Sequence, residues 1–321
     1  MILKIALVSI LVIIVVAILI SLPFYFRDLS KIKDKLSQYD THVITTPFGD
    51  IEYVRSGDGF PTILSHGIQG GFDQGLSLSK IYLGSGFNTI AVSRFGYFSS
   101  SLPKNPTPLL QAKTYVYLLD ALSIDKAIIV GNSAGGSAAF QFAINYPERC
   151  VGLILLASSV PDYRPLPPKP IISIVFGSDY LYWLFAHVLK SSMLSMFISK
   201  SFKSRLSKEE LDYYFAAVVI GSLPVSLRKR GAINDMYLSN RDINKGYEYS
   251  RIQVPTLMFH AKDDALPSFE ETKRIAEQIP GIEFCSFDEG GHLFIDHQEF
   301  IRKKTEKFLN RIVERGGGHF P

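Results

Sequence analysis

Ser133 stands in a run of small residues, Gly-Asn-Ser-Ala-Gly-Gly at positions 131–136, between the apolar run Ile128–Val130 and an alanine-rich segment that continues to Asn145. A short apolar run followed by an amphipathic segment predicts a buried strand that leads into a helix. Small residues permit a sharp turn between the two, which exposes the serine hydroxyl above the helix N-terminus. In isolation the same residues would fit a tight turn with a capping serine, so the flanking strand and helix carry the interpretation of Ser133 as a nucleophile.

Strands and helices alternate along most of the chain. Strands expected at 42–46 and 51–55 and a buried run at 62–65 indicate a sheet that begins with antiparallel hairpins. Later strands are expected at Asn88–Ser93, Lys126–Val130, Val151–Ala157, Thr256–His260 and Ile282–Phe287, and helices at Leu109–Leu122, Ala134–Asn145, Phe269–Gln278 and His297–Val313. This alternation predicts an α/β fold whose mostly parallel central sheet carries helices on both faces.

The length of 321 residues suits one such domain with an insertion. Residues 161–251 are helical in pattern and rich in aromatic and aliphatic side chains, which predicts an inserted helical cap. Its apolar side chains would form the core of the cap or line a lid over an apolar pocket. We therefore expect a transmembrane anchor at 1–28, a connector at 29–40, an α/β core at 41–160 and 252–314, the cap at 161–251 and a flexible tail at 315–321.

The N-terminal segment from Ile5 to Phe26 carries no charge. About 22 helical residues at 1.5 Å each span roughly 33 Å, enough to cross a hydrocarbon core of about 30 Å. A cleaved signal peptide is the alternative, but the apolar stretch is long for one and no Ala-x-Ala-like site follows it. We expect a single-pass membrane anchor. Four basic residues between 27 and 35 favour a cytoplasmic domain, whereas Lys4 ahead of the span also fits a signal anchor, so the side of the membrane stays open.

Charge and cysteine content exclude some classes of protein. The formal net charge is +4, and basic and acidic residues are interleaved, so nucleic acid is not an expected partner. Cys150 and Cys285 lack the spacing of a metal site, and the chain has no glycine-rich phosphate motif. No metal or cofactor is therefore expected. None of these patterns predicts the oligomeric state.

His292 is the expected base for Ser133. A serine hydroxyl is a weak nucleophile until a neighbouring base takes its proton. His292 follows Glu-Gly-Gly at 289–291, directly after the last predicted strand. The carboxyl ends of parallel strands share one edge of a sheet, so this position would bring His292 to the same edge as Ser133.

The imidazole in turn needs a carboxylate that fixes its tautomer and stabilises its charged form. Two adjacent candidates, Asp263 and Asp264, follow the strand expected at 256–260. Counting forward from the start of that strand favours Asp264, whereas counting back from Pro267 favours Asp263. Asp264 is the expected acid, and Asp162, after an earlier strand, is a third candidate.

Backbone N–H groups are needed to stabilise the oxyanion of the tetrahedral intermediate. The sequence Ser-His-Gly-Ile-Gln-Gly-Gly at 65–71 follows an apolar strand, and its glycines let the backbone approach the site closely. We expect the N–H groups of Ile68 and Ala134 to form this pair. His66 is expected to brace the loop through hydrogen bonds rather than to transfer a proton.

The order of these motifs along residues 41–313 resembles the α/β-hydrolase superfamily. The resemblance implies Ser133 as nucleophile, His292 as base, Asp264 as orienting acid, and Ile68 with Ala134 as oxyanion donors. A cap after the sixth strand is similar to that of esterases, C–C bond hydrolases and haloperoxidase-like enzymes. Haloalkane dehalogenases and epoxide hydrolases of this fold carry an aspartate at the position of Ser133. The hormone-sensitive-lipase branch carries His-Gly-Gly-Gly where this chain has His-Gly-Ile-Gln. The chain is therefore not expected to be a haloalkane dehalogenase, an epoxide hydrolase or a member of the hormone-sensitive-lipase branch.

The expected function is hydrolysis of an ester or related acyl bond in a fairly apolar small-molecule or lipid-derived substrate, through an acyl-enzyme on Ser133 with His292 as general base. C–C bond hydrolysis and acyl transfer could use the same three residues. A membrane-tethered binding protein that kept the fold without the activity is a further alternative. The identity of the acyl chain and of the leaving group is not encoded in these motifs.

Overall fold

The structure is a computed structural model and describes residues 1–315; the predicted tail at 315–321, apart from its first residue, lies outside the described residues. Within the described part, eight strands form one sheet in the order β1-β2-β4-β3-β5-β6-β7-β8. The strands are β1 (His42–Thr46), β2 (Gly49–Ser56), β3 (Phe60–Ser65), β4 (Phe87–Val92), β5 (Ala127–Asn132), β6 (Cys150–Leu156), β7 (Thr256–Ala261) and β8 (Glu283–Phe287).

From β4 across to β8 each pair of adjacent strands is parallel, whereas β1 with β2 and β2 with β4 pair antiparallel. The predicted mostly parallel central sheet is confirmed. The expectation of successive hairpins was wrong, because β4 lies between β2 and β3, so only β1 and β2 form a hairpin. The physical reason lies in β3, which is buried along nearly its whole length and therefore suits the interior of a parallel sheet.

Helices lie on both faces of the sheet. The described helices are α1 (Ile2–Leu36), α2 (Phe72–Tyr82), α3 (Pro108–Ala121), α4 (Gly136–Asn145), α5 (Lys169–Val175), α6 (Asp179–Val188), α7 (Lys190–Leu194), α8 (Lys200–Lys203), α9 (Lys208–Tyr214), α10 (Lys229–Asn234), α11 (Asn240–Asp242), α12 (Phe269–Ala276) and α13 (Gln298–Arg315). Ile129 of β5 packs with α3, α4 and α12 on one face, whereas Ile128 and Val130 pack with α2 and α13 on the other. The alternation follows from the two-residue period of a strand.

Helices α5 to α11 lie between β6 and β7 in the chain, in the region where a helical cap was predicted. Their apolar side chains form a third cluster, which we call the cap cluster, around Tyr182, Trp183 and Phe215. Ile68 and Leu293 also pack against the cap cluster. Both residues belong to loops at the carboxyl edge of the sheet, so the cap lies over that edge.

Helix α1 has two parts with different surroundings. The large apolar side chains between Ile5 and Ile20 that the structure describes are exposed, whereas Tyr25 and Leu29 are only 8% exposed and belong to the cap cluster. The helix runs without a break through residue 28, where the boundary between anchor and connector was predicted. Within residues 1–315, α1 is the only helix that by itself is long and apolar enough to cross a membrane.

Candidate active site

The segments singled out in the sequence all follow parallel strands at one edge of the sheet. The loop at 66–71 follows β3, Ser133 follows β5, Asp264 follows β7 and His292 follows β8. β3 and β5 are neighbours, as are β7 and β8, with β6 between the two pairs. The topology therefore brings the candidate nucleophile, acid, base and oxyanion loop to the same edge, which is where open α/β sheets bind ligands.

Ser133 occupies a strained turn between β5 and α4. Its φ angle is +46°, in the left-handed region that non-glycine residues seldom adopt, and its side chain is half-buried. The glycines after it are required by close packing, because a Cβ atom on Gly136 would lie 1.7 Å from Ser158 Oγ. The Ser133 carbonyl accepts hydrogen bonds from the N–H and the hydroxyl of Ser159, at 2.9 and 3.0 Å. These contacts hold the serine in its half-buried, strained position.

His292 and Asp264 form a buried pair. The imidazole Nδ1 lies 2.7 Å from Asp264 Oδ2, and the two side chains are 7% and 0% exposed. The other carboxylate oxygen accepts the Leu266 N–H at 2.9 Å. When Nδ1–H donates this hydrogen bond to Asp264, the Nε2 atom carries no proton and can act as a base. Within residues 1–315 no hydrogen bond joins Nε2 to the Ser133 hydroxyl, and such bonds are often longer before substrate binds.

Asp263 has a different role from its neighbour. Its carboxylate accepts the N–H groups of Gly290 and Gly291, at 3.3 and 2.8 Å. It therefore supports the loop that carries His292, a role that the sequence did not reveal. The third candidate, Asp162, pairs with Arg164 at 3.0 Å in a partly exposed position, away from the imidazole hydrogen bond.

The loop at 66–71 lies against Ser133. A Cβ atom on Gly67 would be 3.2 Å from Ser133 Cβ, which is closer than most side-chain contacts. Its N–H donates to Gln74 Oε1 at 2.8 Å, whereas the Ile68 N–H has no acceptor within the described part of the chain. Ala134, the second residue of a 3₁₀ turn, also has no intrahelical acceptor. Both N–H groups are thus available to an oxyanion.

His66 braces this loop. The ring is fully buried, its Nδ1 lies 2.6 Å from the Gly67 carbonyl oxygen, and its Nε2 accepts the Arg94 N–H at 3.0 Å. Burial and then the Arg94 guanidinium hold the pKa of His66 well below its usual value, with a smaller contribution from Arg228. The ring is therefore neutral and serves the loop as a donor and an acceptor.

The lowered pKa of His66 predicts a pH dependence of stability. Between pH 6.5 and the lowered pKa, the unfolded chain binds a proton that the folded chain does not, so the free energy of unfolding falls as the pH falls. His66 should contribute a slope of up to about 1.4 kcal/mol per pH unit. Denaturant unfolding of the detergent-solubilised full chain measures the free energy of unfolding between pH 7 and pH 5. This free energy should fall less steeply with falling pH in His66→Gln than in the native protein. Equal slopes would contradict a neutral His66.

Buried ion pairs join the loop to the cap. Arg94 and Asp235, 3% and 1% exposed, form a two-point ion pair in which one N–O distance is 2.8 Å. Tyr97 donates its hydroxyl proton to Asp235 at 2.5 Å and accepts the Gln69 N–H at 3.2 Å. The chain of contacts runs from the cap through Tyr97 to the oxyanion loop. A pair this buried is costly to break, because one charge would remain unpaired.

A second buried ion pair also joins the cap to the oxyanion loop. Arg228 of the cap is 1% exposed and binds both oxygens of Asp73, at 3.0 and 2.8 Å. It also donates to the Gly70 carbonyl at 2.7 Å. Sequence reasoning missed both pairs, because a single arginine, in a loop after a strand or in the cap, gives no signal of burial. No group of three His, Cys, Asp or Glu side chains in the described residues is arranged to hold a metal ion.

Comparisons with known proteins agree with this architecture. The family profile described as alpha/beta hydrolase fold matches residues 59–298. The chain is 26% identical over 232 residues to AB hydrolase superfamily protein YisY of Bacillus subtilis, covering 70% of this chain and 82% of that protein. It is 27% identical over 226 residues to the poly(3-hydroxyalkanoate) depolymerase of Ectopseudomonas oleovorans, covering 70% and 75%. It is 26% identical over 208 residues to a 2-hydroxy-6-oxononadienedioate hydrolase of Burkholderia vietnamiensis, covering 63% and 68%.

Solved structures give the same result. An alpha/beta hydrolase fold protein from Nakamurella multipartita superposes with a TM-score of 0.67 at 26% identity, covering 87% of this chain and all of that one. An esterase from Exiguobacterium antarcticum superposes with a TM-score of 0.61 at 21% identity, covering 84% and 98%. The second likeness, at this identity, concerns the fold alone.

Proposed function

The chain belongs to the alpha/beta hydrolase fold family, and we propose that within this family it is a serine hydrolase that cleaves an ester or related acyl bond through Ser133, His292 and Asp264. The observation that carries the proposal is the buried hydrogen bond of 2.7 Å between His292 and Asp264, at the sheet edge where Ser133 occupies a strained turn. A serine with an oriented imidazole and free oxyanion donors is the arrangement that acyl transfer requires.

The proposed reaction has two halves. Ser133 Oγ attacks the acyl carbon while its proton passes to His292 Nε2, and the oxyanion forms against the N–H groups of Ile68 and Ala134. The imidazolium then gives the proton to the leaving alcohol as the acyl–oxygen bond breaks. Water attacks the acyl-enzyme by the same route, which releases the acid and returns the proton to Ser133. Asp264 stays ionised and stabilises the imidazolium.

The surroundings of the site favour an uncharged, apolar substrate. Ile68 beside the oxyanion donors and Leu293 beside the base both pack against the cap cluster. Arg94 and Arg228, the cations that hold the oxyanion loop, are each paired with a carboxylate and are not free to bind a charged substrate. An acyl chain would therefore be bound by apolar contacts, each buried methylene contributing about 0.8 kcal/mol.

C–C bond hydrolysis is the second candidate, because relatives are named as hydrolases of 2-hydroxy-6-oxononadienedioate. A dioate is a dicarboxylate, and binding it calls for a cationic side chain without a carboxylate partner. The pairing of Arg94 and Arg228 therefore favours ester cleavage. Acyl transfer with the same three residues and a binding protein without catalysis are the remaining alternatives.

We also propose that α1 is an uncleaved membrane anchor. Tyr25 and Leu29 belong to the cap cluster, and Asp28 Oδ2 accepts the Trp183 indole N–H at 3.0 Å. Cleavage of a signal peptide at the end of the apolar segment would remove or separate these contacts from the cap. This packing supports a helix that is retained in the mature protein.

Fluorophosphonate labelling of the full chain in detergent tests the hydrolase proposal. An activated serine reacts with such a reagent, whereas an ordinary serine does not. We expect one adduct, on the peptide that contains Ser133, and its loss in His292→Ala or after heat denaturation. A folded native protein without an adduct would favour the non-catalytic binding protein. Labelled protein that cleaves C–C substrates but no ester would favour the second candidate.

A further inference from the structure

Helix α5 presents an apolar face to solvent. Ile171 and Ile174, three residues apart and therefore on one side of the helix, are 55% and 61% exposed. Two large apolar side chains exposed side by side on one helix mark a contact surface. We call Ile171 and Ile174 the α5 face.

The orientation of α5 follows from the packing of α6 against α1. Ser21 Oγ lies 2.7 Å from the Tyr180 hydroxyl, and further along both helices Asp28 accepts the Trp183 indole N–H. Contacts that advance together along both sequences indicate that α6 runs beside α1 in the same direction. The axes of α5 and α6 are bent by 99°. Helix α5 therefore lies across the direction of α1, near the level of Ser21.

That level is where the exposed apolar part of α1 ends. Ser21 is the first residue of α1 whose described side chain is partly buried by the rest of the protein, and Arg27 is the first charge after Lys4. If α1 crosses a bilayer, α5 lies flat at its surface. Together α5 and α6 are also apolar enough to resemble a broken membrane span.

The net charge of the cap also favours a position of α5 at the bilayer surface. Residues 161–251 contain thirteen Lys and Arg against eight Asp and Glu, a net charge of +5 in a chain whose total is +4. Basic residues near a membrane surface are attracted to anionic lipid headgroups. Lys169 is the first residue of α5, and its Nζ atom lies 5.9 Å from the centroid of the Tyr237 ring. An apolar helix face with a basic residue beside it is the pattern of a helix that lies in the interface.

We propose that α5 is a second membrane contact, in which the α5 face inserts into the surface of the bilayer that α1 crosses and the substrate is an apolar ester drawn from that bilayer. The opposite side of α5 provides an apolar path for the substrate from the bilayer to the active site. Ile172 and Val175 pack against the cap cluster, as do Ile68 of the oxyanion loop and Leu293 next to the base. Apolar contacts thus continue from the lipid side of α5 to the catalytic edge. The substrate part rests on the proposed hydrolase activity, whereas the contact itself does not.

Quenching by lipids carrying a nitroxide tests the contact. The full chain, with Cys285→Ser and the buried Cys150 retained, is reconstituted into vesicles of phosphatidylcholine and phosphatidylglycerol. An environment-sensitive fluorophore is attached to Ile174→Cys, to Ile13→Cys within the apolar part of α1, or to Val43→Cys. Val43 is a matched exposed apolar residue on the edge strand, after α1 has extended about 22 Å beyond Ser21.

Quenching at positions 174 and 13 but not at 43 is the expected result. Quenching at 13 alone would overturn the contact and leave the anchor in place. Absence of quenching at both 13 and 174 would overturn the anchor and the contact together. None of these outcomes depends on catalysis.

Kinetics test the source of the substrate. Ile171→Asn/Ile174→Asn should raise the KM for a long-chain ester embedded in vesicles about tenfold, by removing two apolar insertions. Its kcat and its KM for a short, water-soluble ester should match those of the native protein. An unchanged KM for the embedded ester would overturn the route from the bilayer. Failure of the native protein to cleave either ester would instead count against the hydrolase proposal.

Discussion

Ser133→Ala should lower kcat for an ester by about 10⁶-fold, the size of effect seen when the nucleophile of a serine hydrolase is removed. The change deletes one hydroxyl and keeps the backbone, so the turn at φ +46° and the hydrogen bonds to Ser159 remain. What is lost is the covalent route, and the residual rate comes from substrate binding and the oxyanion donors. Single-turnover hydrolysis of a chromogenic ester measures the effect, with circular dichroism as the check of folding.

Ser159→Ala is the matched control. Its hydroxyl lies 3.0 Å from the Ser133 carbonyl, and the replacement keeps the Ser159 N–H that also binds this carbonyl. Removal of one of two hydrogen bonds to a neutral acceptor typically costs about 1 kcal/mol, so the rate should fall less than tenfold. A loss of similar size in both variants would indicate a structural defect at the turn rather than a missing nucleophile.

The sequence was most informative where several local signals agreed. The small residues around Ser133, the apolar strand before them and the helix after them all pointed to one turn, and the structure has β5, a 3₁₀ turn and α4 there. Strands buried on both faces were also predictable from the sequence, because runs such as 128–130 are apolar throughout. The roles of Ser133, His292 and the oxyanion donors remain predictions that the proposed experiments test.

Other features were hidden because they depend on long-range packing. Helix α2 was not predicted, because its sequence is short and contains a glycine, Gly75, and two serines. Gly75 is explained only in the fold, where a Cβ atom would lie 2.9 Å from the Ala91 side chain. The position of β4 between β2 and β3 likewise depends on pairing across the sheet, which no local pattern specifies.

The ion pairs that support the site also depend on long-range packing and were hidden in the sequence. Arg94 and Arg228 bind Asp235 and Asp73, partners 141 and 155 residues away in the chain. Helix α1 gave a similar result, since its apolar half was evident in the sequence but the packing of Tyr25 in the cap cluster was not. Long-range contacts of this kind join the cap to α1 and to the loop at 66–71, and they therefore determine how the site is held.

Asp264→Asn should lower kcat by about 10⁴-fold while the protein stays folded, because an asparagine in this position favours the wrong tautomer of His292. In the native protein Nδ1 carries a proton toward Asp264 Oδ2 at 2.7 Å, which leaves Nε2 as the base. An asparagine that turns its NH₂ group toward the ring would put the proton on Nε2, where it cannot accept one from Ser133. Steady-state hydrolysis across pH 6 to 9 measures the change.

Asp263→Asn tests which of the two adjacent carboxylates has this role. Asp263 accepts two backbone N–H groups and does not touch the imidazole, and an asparagine oxygen can keep the shorter bond, at 2.8 Å to Gly291. The loss of the longer one, at 3.3 Å to Gly290, should cost about 1 kcal/mol of stability and less than a tenfold change in kcat. If instead Asp263→Asn caused the large loss and Asp264→Asn the small one, the acid would be Asp263, and the His292 loop would have to move toward it when substrate binds.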